Sequence, residues 1–268
     1  MRERFILISV VCVYNNSRLL KQWLLKDLKS QTVDYELILI DNTKNMFKSA
    51  AEALNHGGRK VNGNYIMFAH QDVNLCSNTW LEEVENILNS ISNLGIAGVV
   101  GMSNEGEIEK IFKDNIKWGY RFSEPVPVQT LDECLVIIPH SIFKKLQFDE
   151  VVCDNWHLYA VDYCLSIKSQ FPLKAYLIPL PTRHIGSGRR AERFIDILRS
   201  FGDLPQGYYK TLEKMRGKHK THYRKIYTTC GVWNTQYHTM WQRAWNLMKA
   251  VAPYLLRNCL GKNRDIKD

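Results

Sequence analysis

The sequence contains no run of about 18 apolar residues, the length that a helix needs to cross a bilayer. It also contains no C-x-x-C pair, and its seven cysteines are scattered and odd in number, which argues against a zinc site or a disulfide framework. We therefore expect buried, reduced thiols and a cytoplasmic protein. The sequence has no recognised nucleic-acid-binding motif, so nucleic acid is not an expected partner.

Positive charge is concentrated in the last third of the 268-residue chain, whose formal net charge is +9. From Pro181 to the end there are 18 Lys and Arg against 6 Asp and Glu, a net charge of +12, which leaves −3 for residues 1–180. Within this basic part, Trp241 and Trp245 belong to a set of apolar residues spaced by three and four. The spacing predicts a helix over residues 236–260 that either lies on an anionic membrane surface or docks on the rest of the protein.

Apolar runs that are typical of buried strands alternate with segments that have helical spacing. The strand-like runs are Phe5–Val13, Glu36–Ile40, Tyr65–Ala69, Ile96–Gly101, Cys134–Ile138 and Lys174–Ile178, and the helical segments are Arg18–Ser30, Ser49–Leu54, Thr79–Ser92 and Tyr159–Ser169. This alternation predicts an α/β fold with a doubly wound, mostly parallel sheet and flanking helices. We expect it to occupy residues 1–188, followed by a basic, aromatic, helical C-terminal extension over residues 189–268.

Polar side chains follow the first three predicted strands, at the point where each strand ends. They are Tyr14, Asn15, Asp41, Asn42, His70, Gln71 and Asp72. Because ligands of open α/β sheets bind beyond the carboxyl ends of the strands, we expect these residues to line a binding site. His70 and Asp72 are two residues apart on an extended segment, so they point to the same side and offer nitrogen and oxygen to a divalent cation.

Three linked motifs resemble those of the family-2-type glycosyltransferases, which have the GT-A nucleotide-sugar-binding fold. The motifs are Cys12-Val13-Tyr14-Asn15, Ile40-Asp41-Asn42-Thr43, and the set Asn55, Gly57, Val61, Gly63, Tyr65, Ile66 and Phe68. The resemblance covers residues 5–188. The D-x-D motif of the family is replaced by His70-Gln71-Asp72, which resembles a bacterial subgroup with H-Q-D at this place.

The resemblance implies a set of binding residues. Those implied for the nucleotide-sugar donor are Tyr14, Asn15, Asp41, Asn42, Asn55, Gly57, Gln71 and Arg183. Those implied for a divalent cation, Mn²⁺ or Mg²⁺, are Asp72, His70 and His184. A fixed cation at this place stabilises the negative charge that develops on the diphosphate leaving group.

The catalytic base is the point at which the sequence departs from the family. The E-D-x-D segment of the family aligns with Tyr159-Ala160-Val161-Asp162, so Ala160 stands where the catalytic aspartate is expected. The nearest carboxylate is Asp162, which we take as the first candidate. The alternatives are Asp132, His157 and Asp154.

The resemblance implies an inverting, metal-dependent glycosyltransferase that uses a UDP- or dTDP-sugar in surface polysaccharide synthesis. The acceptor would be a glycan or a polyprenyl-linked sugar at the inner face of the cell membrane. One alternative is a sugar nucleotidyltransferase, although residues 14–18 do not form the glycine- and lysine-rich loop typical of that class. The other is a non-catalytic relative that binds nucleotide sugars, which the presence of Ala160 and His70 suggests.

Overall fold

The computed structural model of the chain describes residues 7–103, 123–185, 204–237 and 248. Up to residue 103 its elements are, in chain order, β1 (Ile8–Tyr14), α1 (Ser17–Gln22), α2 (Leu24–Leu28), β2 (Glu36–Asp41), α3 (Ala50–Gly58), β3 (Tyr65–Ala69), β4 (Val73–Asn74), α4 (Trp80–Ser90), β5 (Leu94–Gly98) and β6 (Gly101–Met102). From residue 123 onward they are β7 (Val126–Val128), β8 (Thr130–Leu131), β9 (Leu135–Pro139), α5 (His140–Phe143), α6 (Tyr159–Gln170), β10 (Lys174–Leu177), β11 (Arg183–His184), α7 (Gln206–His219), β12 (Lys225–Thr228) and β13 (Gly231–Asn234).

Seven of the described strands form one mixed sheet in the order β2-β1-β3-β9-β5-β10-β7. Strand β1 pairs in parallel with β2 and β3, and β5 pairs in parallel with β10. Strands β9 and β7 run antiparallel to their neighbours, so five of the seven strands point the same way. The predicted α/β fold with a mostly parallel sheet is confirmed, and the carboxyl ends of β1, β2 and β3 lie side by side.

The sheet is buried on both faces by helices. Val10 of β1 packs in a cluster with Leu24 of α2 and Trp80 of α4, whereas Val11 packs on the other face with Leu54 of α3. Consecutive residues reach opposite faces because strand side chains alternate in direction. This explains why the sequence of β1 is almost continuously apolar, since each fully buried valine contributes roughly 1.5–3 kcal/mol.

The helix predicted over residues 18–30 is two short helices, α1 and α2, which meet at Trp23. Asn16 caps the first of them, because its side-chain oxygen accepts hydrogen bonds from the N–H groups of Arg18 and Leu19, both at 3.1 Å. At Trp23 the backbone leaves the helical region, with φ −115° and ψ −88°. Leu20 of α1 and Leu24 of α2 are both buried in the same core cluster.

The described part of the C-terminal extension packs on helix α6. Val161 and Leu165 of α6 form a third buried cluster with Leu212 and Met215 of α7 and with Trp233 of β13. Strands β12 and β13 pair antiparallel as a two-stranded hairpin beside α7. Residues 204–237 thus form a layer on the outer side of α6.

Within the residues that the structure describes, no helix is long and apolar enough to cross a membrane. The interfacial helix expected over residues 236–260 lies outside the described residues, apart from Gln236, Tyr237 and Met248.

Candidate active site

Polar residues at the carboxyl ends of β1, β2 and β3 lie next to one another, as the parallel register requires. Tyr14 pairs with Asp41 in the register of β1 and β2, and the N–H of Asn42 donates to the carbonyl of Tyr14 at 2.8 Å. A cavity of about 590 Å³ lies at these strand ends. The predicted site residues that line it are Tyr14, Asn15, Asn42, His70, Gln71, Asp72, His157 and His184.

Gln71 connects the end of β3 to the end of β1. Its Oε1 atom accepts hydrogen bonds from the N–H groups of Asn15 at 3.2 Å and Asn16 at 2.9 Å, and its Nε2 atom donates to Oδ1 of Asn15 at 2.8 Å. Gln71 therefore uses both ends of its amide to hold the loop that follows β1. This fixes the position of Asn15 in the cavity wall.

Asp41 and Asn42 shape the loop that follows β2. The Oδ1 atom of Asp41 accepts from the N–H of Thr43 at 2.8 Å, and this hydrogen bond lowers the pKa of the exposed Asp41 carboxyl. Asn42 is buried and exchanges two hydrogen bonds with the backbone of Phe47, at 2.8 Å to its N–H and 3.3 Å to its carbonyl. Asn45, in the same loop, has a positive φ of 54° and lines the cavity.

Two predicted donor-binding residues, Asn55 and Gly57, do not reach the cavity. The side chain of Asn55 is buried and bonds both the carbonyl of Phe148, at 2.9 Å, and its N–H, at 3.0 Å. At Gly57, a Cβ atom would lie 2.5 Å from Cγ1 of Val11, so glycine allows α3 to approach β1 closely. Both residues thus have a packing role and neither lines the cavity, and their donor contact stays a prediction.

His70, Asp72 and His184 form a compact cluster in the cavity wall, as the sequence predicts. Their candidate ligand atoms all lie within 4.8 Å of one another. Nε2 of His184 is 3.3 Å from Oδ1 of Asp72 and 3.2 Å from Nδ1 of His70. His184 is brought there by the pairing of β4 with β11, in which it lies opposite Val73, while the N–H of Ile185 donates to the carbonyl of Asp72 at 3.0 Å.

The protonation states of His70 and Asp72 suit a divalent cation, whereas Asp72 holds the pKa of His184 above its usual value against the effect of burial, so His184 must release a proton to bind one. Burial lowers the pKa of His70 to about 4, and the nearby His184 adds to this effect. Burial would raise the pKa of Asp72, but the hydrogen bond from His184 and the charge on that residue outweigh it and hold the pKa below its usual value. At neutral pH the cluster therefore offers a neutral imidazole and a carboxylate, which are ligands for divalent metals.

Arg183 is the one predicted donor-binding residue of β11, and the structure does not bring it to the cavity. It pairs with Asn74 across β4 and β11, and its side chain is exposed. The next residue, His184, points to the cavity because neighbouring strand residues face opposite sides.

Of the four candidates for the catalytic base, only His157 lines the cavity. Asp162, the first candidate, is buried and engaged by Lys218 at 2.7 Å and His219 at 2.8 Å. Asp154 bonds Lys214 at 2.6 Å on the surface. The structure therefore does not support Asp162 as the base, because its carboxylate joins α6 to α7.

Asp132 also has partners within the protein. Its Oδ1 atom accepts from the N–H of Cys134 at 3.0 Å, and its Oδ2 atom accepts from the hydroxyl of Thr229 at 2.9 Å. Thr229 lies in the turn between β12 and β13. Asp132 thus ties the C-terminal hairpin to the segment that precedes β9.

Sequence comparison identifies the family to which this site belongs. A family model described as "Glycosyltransferase like family" matches residues 9–181, which run from the second residue of β1 through β10 and include most of the cavity wall. The chain belongs to this glycosyltransferase family. No curated protein sequence matches the chain.

Solved structures of glycosyltransferases share the fold. One is the mannosyltransferase PcManGT from Pyrobaculum calidifontis in complex with GDP-Man and Mn²⁺, with a TM-score of 0.54, 12% identity and coverage of 96% of this chain and 76% of that one. Another is GalNAc-T7 with UDP, GalNAc and Mn²⁺, with a TM-score of 0.51, 16% identity and coverage of 81% and 55%. This glycosyltransferase therefore has the GT-A fold that the motifs predicted.

Three residues of the glycosyltransferase cavity whose side chains can form hydrogen bonds are absent from the sequence-based set. They are Asn45, Trp156 and Tyr159. Trp156 is 38% exposed beside His157; the sequence shows a tryptophan next to a candidate base, but only the structure shows that it is exposed. The place of Tyr159 is harder to foresee, because only the tertiary structure brings its hydroxyl to His70, 3.2 Å from Nε2.

Proposed function

We propose that this glycosyltransferase moves a sugar from a UDP- or dTDP-sugar to a glycan or lipid-linked acceptor, with inversion and with a divalent cation, in surface polysaccharide synthesis. The observation that carries the proposal is that the His70, Asp72 and His184 cluster and the imidazole of His157 line the same cavity. A cation site and a proton acceptor are the two groups that a metal-dependent inverting transfer uses.

We assign binding of the nucleoside part of the donor to the residues at the carboxyl ends of β1 and β2. Tyr14, Asn15 and Asn42 line the cavity there, and Asp41 lies beside them in register with Tyr14. The exposed Asp41 carboxylate keeps lone pairs that can accept from a base or ribose hydroxyl. Gln71 contributes by fixing Asn15, since its amide already bonds that residue.

The diphosphate end is assigned to the cluster. His70, Asp72 and His184 would hold the cation, either Mn²⁺ or Mg²⁺, and the bound cation supplies positive charge where the leaving diphosphate becomes negative. Asp72 remains ionised at neutral pH because the hydrogen bond from His184 outweighs its burial. The protein would supply three metal ligands, two nitrogens and one oxygen, which leaves room for phosphate oxygens in the coordination sphere.

His157 is proposed as the general base. Burial lowers its pKa, so its imidazole is neutral at pH 7 and a ring nitrogen can accept the proton of the acceptor hydroxyl. The neighbouring Trp156 offers an exposed indole face to the cavity, on which the apolar face of a sugar ring can pack.

A donor screen tests the proposed reaction. Thermal unfolding of the full chain would be followed with UDP-, dTDP- and GDP-sugars, each with Mn²⁺, with Mg²⁺ or with a chelator, because a ligand that binds the folded state raises stability by RT ln(1 + [L]/Kd). We expect stabilisation by a uridine or thymidine nucleotide sugar that depends on the cation, and slow hydrolysis of that donor. Binding without any hydrolysis or transfer would instead indicate a non-catalytic relative.

The role of His157 is tested by His157→Gln. We expect kcat to fall by on the order of 10²–10⁴ while donor affinity and melting temperature stay unchanged. His222→Gln is the matched control, because His222 is exposed on the surface and its Nδ1 bonds only the neighbouring Thr221 at 3.0 Å among the described contacts. Turnover by His157→Gln within a few-fold of wild type would exclude His157 as the base.

The basic C-terminal extension supports a membrane-surface location for the acceptor. The net charge of +12 from Pro181 to the end of the chain favours anionic lipid, and Trp241 and Trp245 are residue types that settle at the headgroup level. Cosedimentation of the full chain with anionic liposomes tests this. Replacement of both tryptophans by Ser should release the protein, and a wild type that stays in the supernatant would contradict the proposal.

A further inference from the structure

The hydroxyl of Tyr159 lies behind the cation cluster and contacts one of its ligands. Tyr159 is the first residue of α6, and its ring is buried at 4% exposure and packs edge-on against Phe148, with ring centroids 5.3 Å apart and an interplanar angle of 85°. The ring is therefore held firmly. Its phenol oxygen is 3.2 Å from Nε2 of His70 and 3.1 Å from the backbone carbonyl of Glu133.

The two hydrogen-bond partners of the Tyr159 hydroxyl determine which nitrogen of His70 carries a hydrogen. A backbone carbonyl can only accept a hydrogen bond, so the single phenol proton points to Glu133. The phenol oxygen must then accept from its other partner, and Nε2 of His70 must carry a hydrogen. In a neutral imidazole the other nitrogen, Nδ1, then has a free lone pair.

The opposite side of the His70 ring leads to the same tautomer independently. Nε2 of His184 lies 3.3 Å from Oδ1 of Asp72, and an ionised carboxylate can only accept, so Nε2 of His184 carries a hydrogen in the metal-free protein. The same Nε2 is 3.2 Å from Nδ1 of His70, which must therefore be the acceptor. Both sides of the ring place the hydrogen of His70 on Nε2.

We propose that Tyr159 is a positioning residue that holds His70 as the Nε2–H tautomer and so presents its Nδ1 lone pair to the divalent cation of the donor complex. The inference rests on the cation site of the proposed function. Metal-bound histidines generally donate their second N–H to a fixed oxygen, and loss of that partner typically costs 10–100-fold in metal affinity. Here the oxygen is a phenol whose own proton is committed to Glu133.

Tyr159→Phe is the variant that tests this role, because it removes only the hydroxyl. Tyr163→Phe is the matched control: Tyr163 lies one turn further along α6, is equally buried, and its hydroxyl has no hydrogen-bond partner among the described residues. Circular dichroism and thermal unfolding establish that both variants fold.

The first measurement is the tautomer of His70 in the metal-free protein, read from long-range ¹H–¹⁵N correlations with ¹⁵N-labelled histidine and assigned by the loss of signals in His70→Asn. We expect the Nε2–H tautomer in wild type and Tyr163→Phe, and a mixture or the Nδ1–H tautomer in Tyr159→Phe. An Nδ1–H tautomer in wild type, or an unchanged Nε2–H tautomer in Tyr159→Phe, would overturn the proposal.

The second measurement is Mn²⁺ binding, followed by electron paramagnetic resonance of the free ion. We expect the dissociation constant of Tyr159→Phe to rise 10–100-fold and that of Tyr163→Phe to stay within two-fold of wild type. Equal affinity in Tyr159→Phe and wild type would overturn the positioning role. If wild type binds no Mn²⁺ while the tautomer result holds, the cation site of the proposed function fails, and with it the purpose assigned to Tyr159.

Discussion

Asp162 of α6 and His219 of α7 form a buried hydrogen bond, with 2.8 Å between Oδ1 and Nε2. The second carboxylate oxygen of Asp162 lies 2.7 Å from Nζ of Lys218, which also bonds Asp149 at 2.9 Å. The carboxylate that a motif alignment offers as a catalytic base therefore connects α6 to α7.

Asp162→Asn should reduce stability and leave catalysis nearly intact. Loss of the carboxylate charge weakens the pair with Lys218, which keeps Asp149, and the hydrogen bond with the buried His219, and a buried group left without its hydrogen bond costs about 1–3 kcal/mol. We expect a lower free energy of unfolding in urea, and a kcat per folded molecule within a few-fold of wild type.

Asp154→Asn is the control for Asp162→Asn, because its partner Lys214 and Asp154 itself are both about half exposed. Surface pairs of this kind contribute roughly 0–1 kcal/mol, so this variant should unfold like wild type. If Asp162→Asn instead left stability unchanged and reduced kcat a hundred-fold, Asp162 would again be the candidate for the catalytic base.

The case of Asp162 shows what the sequence could and could not predict. The motifs at the ends of β1, β2 and β3 were located correctly, because apolar strands of a parallel sheet bring their carboxyl ends to one edge. The partner of Asp162 is His219, which is 57 residues away in a segment that no motif covers. Spacing along the chain carries no information about such a partner. The sequence alone therefore cannot distinguish a buried carboxylate that connects two helices from a catalytic base.

A match to the family by residue type also does not show which contacts a residue makes. Gly57 matches the family motif, but its lack of a side chain serves helix packing against Val11. His184 was implied only by the resemblance, and the pairing of β4 with β11, two strands of two residues each, is too short to predict from hydrophobic periodicity.

Asp72→Ala should abolish cation-dependent donor binding and leave the fold intact. Asp72 supplies the only carboxylate of the cluster that the described residues form, and its partner His184 is partly exposed and can be solvated when the carboxylate is lost. We expect no Mn²⁺-dependent rise in melting temperature with any nucleotide sugar. Calorimetry of the free nucleoside diphosphate with and without Mn²⁺ checks this result.

Asp41→Ala is the matched comparison for Asp72→Ala, since Asp41 is an exposed carboxylate at the neighbouring strand end. It should weaken nucleotide binding and leave Mn²⁺ affinity unchanged. Near-normal activity of Asp72→Ala in Mn²⁺ would rule out Asp72 as a cation ligand, and unchanged nucleotide affinity of Asp41→Ala would rule out Asp41 as a nucleoside contact.

The stability of the protein should fall as pH rises, because of Glu133. Burial raises the pKa of Glu133 from 4.5 to about 8, the adjacent Asp132 adds to the shift, and Oε1 has no hydrogen-bond partner among the described residues. Between these two pH values the folded state keeps a proton that the unfolded state has lost. The free energy of unfolding therefore decreases from about pH 4.5 to about pH 8, by at most on the order of 5 kcal/mol, and then levels off.

Glu133→Gln should remove most of this slope, because the amide is neutral at every pH in the range. Urea unfolding of wild type and variant at pH 5 and pH 8 measures it, with the variant more stable than wild type at pH 8. Glu124→Gln, at an exposed position, should keep the slope of wild type. Parallel pH profiles for wild type and Glu133→Gln would mean that Glu133 is ionised in the folded protein.

Two helical glycines should respond in opposite ways to replacement by alanine. At Gly57 a Cβ atom would lie 2.5 Å from the buried Cγ1 of Val11 and 3.3 Å from Cγ1 of Ile40, so Gly57→Ala should push α3 away from the sheet at a cost of about 1–3 kcal/mol. At Gly217, which is exposed in α7, an added Cβ atom would have no atom within 4 Å apart from its own helix backbone, so Gly217→Ala should stabilise the protein by about 0.5–1 kcal/mol.

Urea unfolding measures both changes, and donor binding separates the packing role of Gly57 from the donor contact that the motif implied. If Gly57 serves packing, the folded fraction of Gly57→Ala binds the donor within a few-fold of wild-type affinity, because Gly57 itself does not line the cavity and α3 contributes only Ala50 and Leu54 to its wall. If the backbone of Gly57 instead approaches the nucleotide, the variant should lose donor affinity while its free energy of unfolding stays that of wild type. The two measurements on one variant therefore give opposite results for the two roles. Gly217→Ala serves as the reference, because it measures the stability that a glycine-to-alanine change adds to a helix without a steric clash.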